Sequence, residues 1–158
     1  MISHDFDFQV GLWRVKHRRL RERLVGSTDW EEFDGTSEMR IVLGGYGNVE
    51  DNLLHVSTGS YRAIAIRNFD PLKMSWAIWW LDSREPHWLD VPVIGTFESG
   101  TGTFYANIIQ NGIAAKLRFL WLTSKQTSPR WEQALSIDNG KSWETNWTMD
   151  FLRGDMSD

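Results

Sequence analysis

Few residues of this chain have the type and spacing that chemistry requires. The four histidines are His4, His17, His55 and His87, and no two stand at a metal-ligand spacing such as His-x-His. There is no cysteine, which removes thiolate nucleophiles, disulfides and zinc-thiolate sites. Asp51 and His55 share a strand face, but four residues of strand separate them by about 13 Å, too far for an acid–base pair. No Gly-x-Ser-x-Gly elbow is present. The stretch Gly44-Gly45-Tyr46-Gly47-Asn48 lacks the Lys-Ser/Thr ending of a phosphate loop and reads as a tight strand connection. What remains is a set of polar residues on otherwise apolar faces: His17 and Arg19 in line with Trp13 and Val15, Gln133 with Trp131, and Thr145 with Trp147. A buried histidine or arginine is costly alone, so each needs a carboxylate, a hydrogen bond or an anionic ligand. Glu32 and Asp34, on the Trp30 face, are candidate partners for Arg19, with surface exposure as their ordinary reading.

The elements that must position these residues are strands. Trp143, Thr145, Trp147, Met149 and Phe151 alternate with polar residues, and so do Trp131, Gln133, Leu135 and Ile137. Asp138-Asn139-Gly140-Lys141 joins the two runs as a hairpin turn. A first strand runs from Gly11 toward Leu24, with Arg14, Lys16 and Arg18 on its other face. Further strands are predicted at Trp30 to Gly35 and Met39 to Leu43, parted by an Asp34-Gly35 turn. Others follow at Val49 to Val56, Tyr61 to Phe69, Met74 to Leu81, Val91 to Phe97, Thr103 to Ile109 and Ala114 to Leu122. Asp82 to Asp90 reads as a loop. Roughly ten short strands without a crossover helix predict an all-β fold: a single antiparallel up-and-down β-barrel with a short N-terminal capping turn.

The length of 158 residues suits one domain spanning residues 1–158. A net charge of −4 argues against nucleic acid and anionic membrane as partners. The basic cluster Arg14, Lys16, Arg18, Arg19, Arg21 and Arg23 reads as a solvated strand face beside acidic neighbours such as Glu31, Glu144 and Asp150. Asn146-Trp147-Thr148 matches a glycosylation sequon by chance on this reading. The N-terminus has no basic start followed by an apolar run, and no apolar stretch approaches the roughly 20 residues of a membrane span, so a cytoplasmic protein is expected. Ten tryptophans and eight phenylalanines imply a large aromatic interior, either solid core or cavity wall.

Gly11-Leu12-Trp13, just after the capping turn, resembles the Gly-x-Trp signature of lipocalins and the wider calycin group. In that group the tryptophan closes one end of the barrel under a late arginine, and the resemblance assigns that place to Arg153. A wider set of residues resembles a bacterial lipocalin-like family of unknown function. It comprises Phe6-Asp7-Phe8, Trp30-Glu31-Glu32-Phe33-Asp34-Gly35, Gly44-Gly45, Gly47-Asn48-Val49, Trp131-Glu132-Gln133-Ala134 and Trp143-Glu144-Thr145-Asn146-Trp147. That family offers no catalytic residues to carry over. The heme-binding nitrobindins are similar in architecture, but Arg14-Val15-Lys16-His17 stands where they have a glycine-rich extension.

The leading expectation is a binding module that holds a small, largely apolar or aromatic molecule inside the barrel. Its wall candidates are Trp79, Trp80, Phe119, Trp121, Trp131 and Trp147, and its polar contacts Tyr61, His17, Arg19 and Gln133. For His17 and Arg19 the ordinary reading is a place at the barrel mouth. Two alternatives stand beside it. One is a cyclase, isomerase or hydratase using His17 or a carboxylate. The other is a filled barrel acting as a structural or interaction protein, with homodimerisation open. No cofactor or metal is expected; heme on His17 or His87 is the minor alternative.

Overall fold

Residues 1–153 are described by the structure, a computed structural model. Ten strands follow one another: β1 (Gly11–Leu20), β2 (Trp30–Val42), β3 (Gly47–Val56), β4 (Gly59–Asp70), β5 (Ser75–Asp82), β6 (Val93–Glu98), β7 (Thr101–Gln110), β8 (Ile113–Leu122), β9 (Arg130–Ser136) and β10 (Glu144–Leu152). Each pairs antiparallel with its neighbours in sequence, and β1 pairs with β10 to close the barrel. Closure leaves no free sheet edge, which an antiparallel sheet of this many strands otherwise has to protect.

Alternation sets the inside. On β1, Trp13, Val15 and His17 are buried while Arg14, Lys16 and Arg18 are exposed. This strand stops at Leu20, not near Leu24. The Arg21 amide bonds back to the Asp29 carbonyl at 3.0 Å, and positive φ at Leu24 and Gly26 turns the chain. Residues 21–29 therefore form a loop at one barrel end, tied to β10 by the Leu24 amide donating to Glu144 at 2.8 Å.

Asp34-Gly35 is not a turn. β2 runs unbroken through it, with Gly35 opposite Val15 on one side and Leu54 on the other. A Cβ at Gly35 would lie 2.3 Å from the Leu53 carbonyl oxygen and 3.2 Å from His17 Nε2. The glycine serves close packing, its other common role in a strand. Continuity also fixes the phase, so Glu31, Phe33, Gly35, Ser37 and Met39 share the inner face, and Glu32 and Asp34 are exposed outside.

The final hairpin needs one correction. A register shift between Thr145 and Trp147 inserts an extra residue, and Asn146 is fully buried. Such a bulge shifts the alternation by one. Trp147, Met149 and Phe151 stay inside, whereas Trp143 packs beside the exposed Tyr105, ring centroids 6.1 Å apart, under Arg118.

One end of the barrel is sealed. The short 3-10 turn Asp7–Gln9 crosses it, and Phe6 inserts among Trp76, Phe97 and Trp121 at centroid distances of 4.9, 4.9 and 6.0 Å. Trp13 donates its indole N–H to the Gln9 carbonyl at 2.8 Å. The Arg153 guanidinium lies 3.5 Å over the Trp13 ring, the packing that the calycin resemblance implies. Just inside this seal, Arg67 ion-pairs with Glu50 and donates to Gln9 and Asn48, each at 2.9 Å; all four residues are buried.

The other end is open. β5 and β6 pair only through Trp76–Ile78 and Val93–Gly95, while β5 continues to Asp82. The chain between them folds back along the free part of β5, through a Leu81–Leu89 bridge and an Asp90 amide bonded to the Trp80 carbonyl at 3.1 Å.

Candidate functional site

A cavity of about 190 Å³ lies inside the open end. Its base is aromatic. Trp131 meets Trp147 edge-on at 5.4 Å, Trp147 meets Trp80 at 5.7 Å, and Phe119 meets Trp131 at 5.0 Å. Edge-to-face contacts of this kind hold the rings in fixed orientations. Strand alternation delivers all four, from β5, β8, β9 and β10, with Ile78 and Leu117 between them.

Above this base the lining turns polar. Arg19 donates from Nε to Glu31 at 2.9 Å and from Nη1 to the Tyr61 hydroxyl at 2.8 Å. Its guanidinium lies 4.9 Å from both the Phe33 and the Trp147 ring centres. The partner of Arg19 is therefore Glu31 on the inner face, and not Glu32 or Asp34. On the same tyrosine, Arg84 stacks 3.6 Å over the Tyr61 ring while it grips Asp82 through Nε and Nη2 at 3.1 and 2.8 Å. Partial burial disfavours the Asp82 carboxylate, but hydrogen bonds from the Arg84 side chain and backbone outweigh it and hold its pKa below the ordinary value. Asp90 shifts the other way, raised first by burial despite the Trp88 indole donating to it at 3.0 Å. Gln133 donates to the buried Asn146 at 2.8 Å, so the bulge on β10 serves to orient a cavity side chain.

Seven of the ten residues singled out in the sequence line this one cavity: Arg19, Tyr61, Trp80, Phe119, Trp131, Gln133 and Trp147. Three stand apart from it. Trp79 falls between Ile78 and Trp80, both cavity-lining, so alternation turns it to the outside of β5. Trp121 lies deeper, between Phe8 and Phe151 at 5.8 and 5.2 Å, where it borders a separate void of about 20 Å³ beside Glu50 and Arg67. His17 is behind the wall, stacked on Phe33 at 4.5 Å, with Nδ1 accepting the Trp147 indole N–H at 3.1 Å. Burial, and then the Arg19 charge, lower its pKa to about 3, so the imidazole is neutral. His87 is exposed on the mouth loop.

Arg23, Asp82, Arg84 and Asp90 also line the cavity and were not singled out. Asp82 was within reach of the sequence, being two residues past Trp80 on the same strand face. Arg23, Arg84 and Asp90 lie in loops, where no period reports direction. Outward, the cavity continues into a groove bordered by Arg23, Trp88, Asp90, Val91 and Ile109. Among the described residues no three His, Asp or Glu side chains group as metal ligands, and no helix is long and apolar enough to cross a membrane. No protein-family model matches the chain, and no curated protein matches it.

Proposed function

We propose that this calycin-like barrel binds a small, flat, largely aromatic molecule in its open end. The observation that carries the reading is the aromatic base of Trp80, Trp131, Trp147 and Phe119 under a rim of oriented polar groups. An apolar cavity of about 150 Å³ is enough to hold benzene, so 190 Å³ suits one ring, and the outward groove leaves room for a second. Tyr61, Gln133 and the Arg19–Glu31 pair give such a molecule a direction, the usual division of labour in a ligand pocket. Binding is favoured over catalysis because His17, the acid–base candidate, is neutral, hydrogen-bonded by Trp147 and outside the cavity lining. A filled barrel describes only the sealed end.

Two measurements test this. Native mass spectrometry of freshly purified protein reads any retained small molecule. Calorimetric titration with neutral 2-naphthamide is expected to show one saturable site, which Leu117→Trp removes by filling the cavity. No retained mass together with no titratable site for any one- or two-ring aromatic would overturn the reading.

A further inference from the structure

Three arginines line the cavity, and they are not equivalent. Arg19 is held by Glu31 and Tyr61, and Arg84 by Asp82. Arg23, brought to the mouth by the 21–29 loop, makes no hydrogen bond or ion pair within 4.0 Å to any described residue. Its acidic neighbours are engaged elsewhere: Glu144 accepts the Leu24 amide and Asp90 accepts the Trp88 indole N–H. Burial, and then repulsion from Arg19, weaken the hold of Arg23 on its proton, and the attraction of Glu144, Tyr61 and Asp90 does not restore it. A half-buried guanidinium that lines the cavity and has no hydrogen-bonding partner among the described residues keeps its five donors available to a ligand.

We infer that the ligand carries a carboxylate and that Arg23 receives it, with the aromatic body on Trp80, Trp131 and Trp147. The inference rests on the binding reading above and narrows it to aromatic acids. A guanidinium presents two parallel N–H groups at the spacing of two carboxylate oxygens, a charge-assisted pairing that a neutral amide cannot match. An anion there also offsets the Arg19–Arg23 repulsion. Arg19 and Arg84 would have to surrender carboxylates they already hold to do the same.

The test compares 2-naphthoate with 2-naphthamide, equal in shape and different in charge, by calorimetry on the full chain. Wild type should prefer the acid by at least tenfold. Arg23→Gln should bring the acid-to-amide ratio close to one, and Arg23→Lys should leave an intermediate preference, with circular dichroism confirming the barrel in each. Equal binding of acid and amide to wild type overturns the inference while leaving the aromatic cavity standing. A preference that survives in Arg23→Gln overturns the assignment to Arg23. Binding of neither probe overturns the inference, and the proposed function falls with it when no other one- or two-ring aromatic binds and no small molecule is retained.

Discussion

The two ends of the barrel use the same materials for opposite purposes. Near the sealed end Arg67 lies 4.4 Å from the Phe6 ring and 5.4 Å from Trp121, paired with Glu50 and bonded to Gln9 and Asn48. Toward the open end Arg19 lies between Phe33 and Trp147 and is paired with Glu31. Each is a guanidinium between aromatic rings with one glutamate. Arg67 is 2% exposed, whereas the side chains of Arg19 and Glu31 keep 13% and 17% of their surface in contact with the cavity and solvent. One pair is a sealed piece of core, and the other leads on to Arg23, where the supply of partners ends. The first network is shut away from solvent, with Arg67 Nε and Gln9 Nε2 left unpaired inside it, whereas the second opens on a cavity that a ligand can enter.

Breaking the sealed pair should produce the largest effect. Glu50→Ala leaves the Arg67 charge buried beside Phe6, and removing one member of such a pair costs about 3–5 kcal/mol. Chemical denaturation measures it. The double change Glu50→Leu with Arg67→Met should cost less than the single one, because no charge is then stranded. If the double is the worse of the two, the pair contributes net stability and the comparison with the mouth is wrong.

The pH dependence probes the wall between the two regions. His17 has a folded pKa of about 3 against an ordinary value of 6.5. Between these values the unfolded chain carries a proton that the folded chain does not. Stability from this group is therefore whole above pH 6.5 and falls as the pH drops toward 3, by at most about 1.4 kcal/mol per pH unit. His17→Gln should flatten the acid limb of a stability-versus-pH curve over that window. An unchanged slope would mean that His17 is protonated in the fold and is not accepting the Trp147 indole.

At the mouth the balance between stability and binding reverses. Trp80 is only partly buried, with one edge against Trp147 and one side on the cavity. Trp80→Ala should cost about 1–2 kcal/mol of stability by area, less than Glu50→Ala, yet weaken 2-naphthamide binding severalfold. A large stability loss with intact binding would place the aromatic base in the core and not in the site.

How far the sequence announced all this follows the same division. Strand faces were legible because period two reports direction directly: Phe119, Trp131, Gln133 and Trp147 were found by alternation, and all line the cavity. The errors arose where the period is interrupted or the residue is not on a strand. Gly35 looked like punctuation and is a packing glycine. The bulge at Thr145 to Trp147 reversed the side of Trp143 without any local sign. Trp79 looked like wall because β5 is apolar on both faces, and alternation gives no vote between two tryptophans in sequence. The Arg67–Glu50 pair was not singled out, because Arg67 on β4 is directly opposite Asn48 and meets Glu50, opposite Ala65, only as a diagonal neighbour on the same face, a placement that the register alone supplies. Arg23 belongs to a loop, and its importance lies in having no hydrogen-bonding partner among the described residues, a property that only the folded chain possesses.

The smallest effect is predicted one residue from Arg19. Arg18 faces outward on β1, opposite Glu32 on β2, at 3.7 Å with side chains 50% and 78% exposed. Arg19 faces inward, opposite Glu31 at 2.9 Å. The two pairs share strands, register and residue types, and differ in solvent and in company, since Glu31 also lies 3.5 Å from Arg21 and Arg19 also donates to Tyr61. Water and salt screen the outer pair, and holding two long side chains together uses up most of what attraction remains. Glu32→Gln should therefore change stability by less than about 0.5 kcal/mol, while Glu31→Gln strands Arg19 and costs clearly more. Arg18 itself is the wrong position to alter, since its guanidinium also lies 4.1 Å over the Trp30 ring and two interactions would be lost at once. Denaturation of the two glutamine variants side by side compares a largely buried carboxylate shared by Arg19 and Arg21 with an exposed one held by Arg18 alone. Equal losses would show that the mouth is as wet as the outer surface, and the unpaired state of Arg23 would then carry no cost for a ligand to relieve.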